Sequence, residues 1–198
     1  AIVGAPFDPL NVGGRIYFFE RAQGVWTQVA ALLAGGGFGN VDDDHGLSVA
    51  IDGDFAAAGA PGEDVPGQLG ATFVGAGFVY VYRRGASGWA AHQSIRPPRV
   101  ASGNAFGTAV AMDGPVLVVG EPRANTVAAD EGRAWVFERG TNGRYGSGRA
   151  LTASDAARFD RFGSAVAVSG PRIVVGSPLD DDNGSSSGSV YFYTPNSN

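Results

Sequence analysis

Four copies of one short pattern, Val-Gly-x-Pro or a close variant, run through this chain and constrain its fold more than any other feature. The central glycines are Gly4, Gly59, Gly120 and Gly176, so successive copies lie 55, 61 and 56 residues apart. Self-similarity at such a period indicates one supersecondary unit repeated along the chain. The sequence therefore predicts a repeat architecture.

Each unit contains four runs that read as β-strands. The first begins with an aromatic residue or histidine followed by glycine, and a turn signal such as Asp52-Gly53 separates it from the second. The second run is the Val-Gly-x-Pro segment, whose continuous apolarity suits a strand buried on both faces and whose proline ends it. The third run alternates with aromatic residues, and the fourth has the weak pattern of an outer edge strand. The first runs span 45–51, 106–112 and 162–168, and the third runs span 14–19, 77–82, 132–137 and 188–193.

The composition fits many short strands joined by tight turns. The 198 residues include 32 glycines and 11 prolines, and the apolar share of 44% excludes wholesale disorder. A net charge of −5 argues against a nucleic-acid partner, because phosphate binding needs a basic surface. No apolar run is long enough to span a membrane, and the absence of cysteine excludes disulfides and thiolate metal sites.

The segment from Arg161 to Ala167, together with Val175-Gly176-Ser177-Pro178, resembles the FG-GAP repeat of integrin α-chain propellers and of secreted FG-GAP arrays. The resemblance implies an all-β fold, a β-propeller of four-stranded antiparallel blades, with about 3.5–4 blades in this chain. The blade units are expected at 1–40, 41–100, 101–155 and 156–198. The second copy departs from the pattern by placing His45 at the phenylalanine position, which should cost packing in one blade without threatening the fold.

The strand tally predicts blades of three, four, four and three strands, because the first unit has no first strand and the last has no fourth. Three interpretations are open. The chain is a fragment of a longer polypeptide, several copies assemble, or a small four-bladed ring closes with two three-stranded blades. The first two are favoured, since exposed blade edges invite pairing with another chain.

Propeller topology also predicts where the charges lie. With strands A to D running from the channel to the rim, the B–C and D–A loops share one face and the A–B and C–D loops share the other. The first face should collect most of the acids, and the C–D loops on the second should carry arginines. The acids are Asp8, Asp42, Asp43, Asp44, Glu63, Asp64, Asp130, Glu131, Asp155, Asp160, Asp180, Asp181 and Asp182, and the arginines are Arg21, Arg83, Arg84, Arg139 and Arg144.

Two acidic loops are candidate calcium sites. Integrin-type FG-GAP blades carry an Asp-rich loop between their first two strands, but this chain has only short turns there, so the family's usual site does not carry over. Calcium takes six to eight oxygen ligands, which favours loops dense in carboxylates. The candidates are Asp180, Asp181, Asp182 and Asn183 after a second strand, and Asp42, Asp43 and Asp44 before a first strand, either separately or jointly.

Other motifs carry less chemistry. The Gly184-to-Gly188 segment satisfies Gly-x-Ser-x-Gly, but a nucleophile elbow needs a strand-to-helix turn, and this segment lies between two strands. His45 and His92 are on different blades and are interpreted as packed or surface rings. Asn183-Gly184-Ser185 is an N-glycosylation sequon that matters only in a eukaryotic secretory pathway.

The sequence is therefore expected to encode an extracellular or cell-surface, non-enzymatic propeller module for adhesion, protein–protein assembly or surface architecture. Its partner would be another protein or a second copy, contacted through blade edges and the acidic loop face, with no nucleic acid and no membrane insertion. One alternative is a carbohydrate-binding propeller that holds glycans between blades. The other is an accessory propeller of a larger secreted hydrolase.

Overall fold

A computed structural model describes residues 1–7, 13–33, 43–125 and 128–194. These residues form four consecutive antiparallel sheets, here called blades 1 to 4, in which each strand pairs with the next. Blade 1 contains β1 (Ile2–Ala5), β2 (Arg15–Ala22) and β3 (Val25–Leu32). Blade 2 contains β4 (Ser48–Asp52), β5 (Phe55–Ala60), β8 (Phe78–Gly85) and β9 (Gly88–Ile95). Blade 3 contains β10 (Val110–Asp113), β11 (Val116–Glu121), β12 (Arg133–Glu138) and β13 (Arg149–Leu151), and blade 4 contains β14 (Ala165–Ser169), β15 (Arg172–Ser177) and β16 (Ser189–Tyr193).

The all-β propeller-blade architecture predicted from the sequence is confirmed, and the sheets have the expected three, four, four and three strands. We name the strands by their place in a blade: A for β4, β10 and β14; B for β1, β5, β11 and β15; C for β2, β8, β12 and β16; D for β3, β9 and β13. A small hairpin of β6 (Val65–Pro66) and β7 (Thr72–Phe73), joined by a 3-10 turn at Gln68–Gly70, was not expected. It extends the B–C loop of blade 2.

The core lies between the blades, because the B and C strands of blades 2 and 3 pack one face on the preceding blade and the other on the following one. Ala56 and Ala58 of β5 face blade 1, whereas Ala57 faces blade 3, and all three are fully buried. This is the two-sided burial predicted for the Val-Gly-x-Pro strand. The B strands end just before Pro6, Pro61, Pro122 and Pro178.

Successive blades are joined where the FG segment of one meets the Val-Gly-x-Pro glycine of the one before it. A β-carbon at Gly59 would lie 1.9 Å from the Gly107 carbonyl oxygen, and one at Gly120 would lie 1.9 Å from that of Gly163. Gly4 meets the Gly46 carbonyl in the same way. We call this contact the interblade joint. It requires glycine because any side chain would occupy the space of the incoming carbonyl.

A backbone hydrogen bond completes each joint. The N–H groups of His45, Phe106 and Phe162 donate to the carbonyls of Gly13, Ala76 and Glu131 in the preceding blade, at 2.9, 3.0 and 2.9 Å. The FG residues are therefore engaged by the neighbouring blade, and each A strand begins two or three residues after its FG glycine rather than at the FG pair itself. The sequence-based prediction began these strands too early, because the FG residues bond to the preceding blade instead of joining the A strand, and a local sequence pattern does not show such a tertiary contact.

His45 is accommodated by a partner that the other blades do not need. Its ring is fully buried and its Nε2 lies 2.8 Å from the Tyr82 hydroxyl, which in turn donates to the Leu33 carbonyl at 3.2 Å. In blade 3 the same two places hold Phe106 and Phe137, packed edge to face. A hydrogen bond thus replaces an aromatic contact, so the swap changes the chemistry of the packing and leaves the fold intact.

The geometry of the interblade joint predicts that a methyl group at Gly120 strongly destabilises the fold. We expect Gly120→Ala to lower the free energy of unfolding by about 3 kcal/mol or more, the upper range for overpacking, because the β-carbon meets the backbone of Gly163. Urea denaturation measures the change. Gly146→Ala is the control, because nothing lies within 4 Å of a β-carbon there, and its change should stay below about 1 kcal/mol. Equal effects of the two substitutions would contradict the joint.

His45 predicts acid sensitivity. Burial lowers its pKa from 6.5 to about 4, so between these values the unfolded chain binds the proton and the folded chain does not. The contribution of His45 to the free energy of unfolding therefore falls by on the order of 3 kcal/mol as the pH falls from 6.5 to 4. His45→Phe combined with Tyr82→Phe, which copies blade 3, should remove this loss in denaturation curves at several pH values. Tyr82→Phe alone should retain it, and an unchanged loss in the double variant would contradict the assignment.

Candidate functional site

The segments that precede the A strands meet the loops that follow the B strands on one face of the blades. Asn104, before β10, donates from Nδ2 to Oε1 of Glu121 at the end of β11, at 2.7 Å. In blade 4 the Leu179 N–H donates to the Asp160 carbonyl at 3.3 Å. These contacts agree with the predicted map, in which D–A and B–C segments share a face. We call it the acidic loop face.

The opposite face is built from A–B turns and C–D loops. Asp52 and Asp113 each accept a hydrogen bond from the turn N–H of the next blade, Gly114 at 2.9 Å and Gly170 at 2.5 Å. These acids therefore link neighbouring turns, which consist of two central residues and have no room for an Asp-rich metal loop. Arg139 stacks on the Phe55 ring at 3.7 Å, and Arg84 pairs with Glu20 at 2.8 Å.

A carboxylate paired with a C-strand aromatic residue recurs on the acidic loop face. The Tyr80 hydroxyl donates to Glu63 at 2.5 Å, the Trp135 indole N–H donates to Glu121 at 2.6 Å, and the Tyr191 hydroxyl donates to Asp180 at 2.7 Å. The three aromatic residues occupy the same repeat position, three after the first glycine of the C run. The face thus carries one built carboxylate position in each of blades 2, 3 and 4.

Blade 3 neutralises its carboxylate internally. Arg133 Nε lies 2.6 Å from Glu121 Oε2, and both side chains are almost fully buried. Asn104 and Trp135 also donate to the same carboxylate. Breaking such a buried pair by removing one partner is costly, because the remaining charge is left without compensation. Glu121 and Arg133 therefore link β11 and β12 inside blade 3, and the sequence-based map of the face did not include them.

Blade 2 holds its carboxylate with a raised pKa. The pKa of Glu63 is raised to about 7, chiefly by burial; the Tyr80 hydrogen bond opposes this rise, and the negative charges of Asp43 and Asp64 add to it. Phe78 stands at the repeat position that Arg133 occupies in blade 3. Because the folded pKa lies above the usual value, Glu63 favours folding at low pH and loses that contribution as the pH rises towards 7.

Blade 4 gathers three carboxylates. One oxygen from each of Asp155, Asp180 and Asp182 lies within 4.8 Å of the other two, and they are the only such group of three among the described parts of the chain. The Tyr191 hydroxyl is 2.7 Å from both Asp155 and Asp180, although its single proton can serve one of them at a time. Ser189 stands where blade 3 has Arg133.

The carboxylates of this group differ in their environment. Hydrogen bonding from Tyr191 lowers the pKa of Asp180, whose side chain is buried. The neighbouring charge of Asp180 raises the pKa of Asp182, which is exposed. Three hard oxygen donors fit the ligand chemistry of calcium, which needs six to eight oxygens in all. The residues that would hold the ion are Asp155, Asp180 and Asp182.

Only two of the residues predicted to bind metal, Asp180 and Asp182, belong to this group. Asp180 and Asp182 join Asp155, a residue that the sequence placed on this face but not at the metal site. Asp181 and Asn183 are exposed neighbours in the same loop and are not members of the group. Asp42 lies outside the described residues. Asp43 is buried beside Glu63 in blade 2, and neither it nor Asp44 belongs to the blade 4 group.

The remaining motifs lie as follows. The serines of the Gly-x-Ser-x-Gly match are in the loop between β15 and β16, where Ser187 Oγ donates to the Asp180 carbonyl at 3.3 Å. Asn183 is exposed in that loop, and its glycosylation stays a prediction. The His92 ring lies 3.0 Å from the Gly143 carbonyl and packs on Phe55. The described residues include no helix with the length and apolar character needed to cross a bilayer.

Comparison with known families agrees with this repeated geometry. A family model for the FG-GAP repeat matches residues 26–82, 89–137 and 146–193, which together cover most of the chain. The chain belongs to the FG-GAP repeat family. The three matched segments extend over all four blades, so the FG-GAP pattern and the interblade joints describe the same repeat. No curated protein matches the chain.

Calcium binding by Asp155, Asp180 and Asp182 can be tested by thermal unfolding. If the blade 4 group binds calcium, the ion should raise the melting temperature, because a ligand that binds only the folded state stabilises it. Asp182→Asn should abolish the rise, whereas Asp181→Asn, one residue away and outside the group, should retain it. If both variants abolish the rise in melting temperature, or if millimolar calcium causes no rise, a site at these three carboxylates is contradicted.

Proposed function

We propose that this FG-GAP chain is a non-enzymatic, extracellular or cell-surface module that works in adhesion or protein assembly. In this proposal its acidic loop face contacts a basic segment of a protein partner. The fold supplies rigid, loop-rich faces, and recognition comes from charge and shape rather than from a reaction. Extracellular location is inferred from the settings in which FG-GAP repeats are typically found.

One observation carries the proposal, namely the unequal treatment of the carboxylates on the acidic loop face. Blade 3 satisfies Glu121 with its own Arg133, deep in the protein. Blade 4 presents Asp155 and Asp182 at the surface, held beside the buried Asp180 and with Ser189 at the arginine position. A cluster of surface carboxylates favours a cationic partner and steers its approach.

The same physics limits the strength of the interaction. Pairs between exposed charges contribute little individually and are screened within roughly 8 Å at physiological salt. The acidic loop face is therefore expected to set the orientation and the association rate of a partner more than its affinity. Arginine suits the partner best, because its planar guanidinium can contact two carboxylate oxygens at once.

A carbohydrate-binding function is the second candidate, and one observation favours it. A crevice of about 970 Å³ opens between blades 2 and 3, with Phe73 and Phe137 among its apolar residues and Arg96 among its polar ones. Aromatic and polar side chains in a crevice between blades are what the lectin alternative requires. However, Gln93 in this crevice already bonds the backbone of Tyr145 through both ends of its amide. The accessory-hydrolase alternative stays a prediction from sequence.

The proposal is tested by binding to immobilised synthetic peptides of graded net charge. We expect an arginine-rich peptide to bind and an acidic one not to, with affinity falling as salt rises. Asp155→Asn combined with Asp182→Asn should lower the affinity for the arginine-rich peptide by about two- to ten-fold. The matched control, Asp54→Asn combined with Glu138→Gln, removes two exposed acids from the opposite face and should have no effect.

Equal weakening by the two double variants would mean that net charge alone drives binding, and would contradict a role for the acidic loop face. A glycan array on the unaltered protein separates the alternative. Reproducible glycan binding that survives the Asp155 and Asp182 substitutions would favour the crevice between blades 2 and 3 over the proposed face.

A further inference from the structure

The crevice between blades 2 and 3 lies where two departures from the repeat meet. The first is an insertion in blade 2. Between its proline and the next C-strand glycine, the B–C segment of blade 2 has fifteen residues (62–76), whereas those of blades 3 and 4 have nine each (123–131 and 179–187). The extra residues form the hairpin of β6 and β7, and Phe73 of that hairpin lines the crevice. Insertions confined to one repeat commonly form binding loops.

The second departure is a short D strand in blade 3. β3 and β9 have eight residues each, but β13 has three and pairs only with residues 134–136. The Gly-Ser-Gly segment 146–148 precedes β13 and lines the crevice. A β-carbon at Gly148 would lie 2.7 Å from the Phe137 ring, so this segment packs directly on the ring and builds only a low wall. The space left between the blades is about 970 Å³.

The hairpin is a fixed wall of the crevice. The Gly67 N–H donates to the Ala71 carbonyl at 2.8 Å and closes the hairpin. The Gly103 N–H, in the D–A segment that leads to blade 3, donates to the Val74 carbonyl at 2.8 Å and ties the hairpin to that segment. The crevice is therefore formed before a ligand arrives, which lowers the free-energy cost of binding.

The tip of the hairpin carries a leucine that packs on nothing within the chain. Leu69 is fully exposed, and its φ of 56° lies in the left-handed region, where a residue other than glycine is strained. Gln68 and Ala71, on either side of it, line the crevice, so Leu69 stands at the rim. A large apolar side chain held exposed at an unfavourable backbone position points to a contact with another molecule.

The lining favours an apolar ligand that carries a negative charge. Its buried apolar residues are Ile95, Pro97 and Phe137. Arg96 is the only charged side chain among the described lining residues; it is exposed, and no acidic side chain in the described parts of the chain pairs with it. The Gln93 amide is already bonded at both ends, so it is not available to the hydroxyl groups of a neutral glycan.

A polypeptide segment fits these features better than a small molecule does. β9 is the last strand of its sheet, so the outer side of its backbone is not paired with another described strand. Residues 93–95, at the end of β9, line the crevice, and an extended peptide can form main-chain hydrogen bonds with such an edge. Leu69 at the rim would be left uncovered by a small molecule inside the crevice.

We infer that this crevice, with Leu69 at its rim, is a docking site for an extended segment of a partner protein that carries alternating apolar residues and one carboxylate. Side chains of an extended segment alternate in direction, so every second residue enters between Phe73 and Phe137. The carboxylate pairs with Arg96. The lining contains none of the acids of the acidic loop face, so the inference does not rest on the proposed function.

The test measures binding of labelled synthetic peptides to the full chain by fluorescence anisotropy. The probes are acetylated nonapeptides in which leucine and phenylalanine alternate with serine, and a single aspartate takes each position in turn. In a matched set, asparagine replaces the aspartate. We expect at least one aspartate peptide to bind, and to bind about two- to five-fold more tightly than its asparagine counterpart, the range for an exposed ion pair.

Three single variants assign the binding to the crevice. Arg96→Gln should abolish the preference for aspartate, whereas Arg99→Gln, exposed and outside the crevice, should retain it. Leu69→Gly should lower the affinity for both peptide sets by about five-fold. Its melting temperature should change little, because relief of the left-handed strain offsets the greater freedom of glycine in the unfolded chain.

Gly146→Trp blocks the crevice. A β-carbon at this lining position meets nothing within 4 Å, so the side chain can fill the crevice without displacing the backbone, and the variant should bind neither peptide set. Asp155→Asn combined with Asp182→Asn should bind both sets normally, because these acids lie outside the crevice.

Three outcomes would overturn the inference. The first is that no peptide of either set binds. The second is an aspartate preference that survives Arg96→Gln, or binding that survives Gly146→Trp. The third is a neutral glycan whose binding Gly146→Trp abolishes, since the crevice would then belong to a carbohydrate. None of these outcomes concerns arginine-rich peptides on the acidic loop face, so the inference and the proposed function fail separately.

Discussion

The close approach of an FG carbonyl to a glycine in the preceding blade is the constraint on which the rest of this structure depends. It explains why glycine recurs at Gly4, Gly59 and Gly120, once in the B strand of each of blades 1, 2 and 3. Backbone contact at 1.9 Å from a β-carbon position brings the sheets close enough for alanines to fill the interface of blade 2. In this interface the small B-strand residues therefore pack densely against large side chains such as Phe18 and Tyr82.

The same contact organises the polar face. By fixing the start of each A strand, it brings the preceding D–A segment against the B–C loop of the same blade. In that region a carboxylate accepts a hydrogen bond from the hydroxyl or indole N–H of a C-strand aromatic residue. Whether that carboxylate is neutralised depends on one position, which holds Arg133 in blade 3 and Ser189 in blade 4. The carboxylate is therefore part of the interior in blade 3, whereas in blade 4 it belongs to a group of acids at the surface.

Much of the fold could be predicted from sequence, because the Val-Gly-x-Pro strands and the aromatic C strands have local patterns that survive in the structure. The A-strand starts could not, since the FG residues leave the ladder to bond another blade. The hairpin of Val65–Pro66 and Thr72–Phe73 was missed because two-residue strands have no periodicity. At the site, Asp180 and Asp182 were found from carboxylate density, but Asp155 joins them only through the folded chain. Glu121 and Arg133 were missed because nothing local marks a buried ion pair.

Native-state hydrogen exchange of the FG amides tests the central role of the joint most directly. The N–H groups of Phe106 and Phe162 donate across blade boundaries, so they should exchange only when the whole chain unfolds, as slowly as the amides in the middle of β11. Their apparent free energies of opening should then equal the free energy of unfolding measured with denaturant. Exchange of these two amides through local opening, at a lower free energy than the amides of Val118 and Val119, would show that the blades separate while each stays folded and would contradict the account.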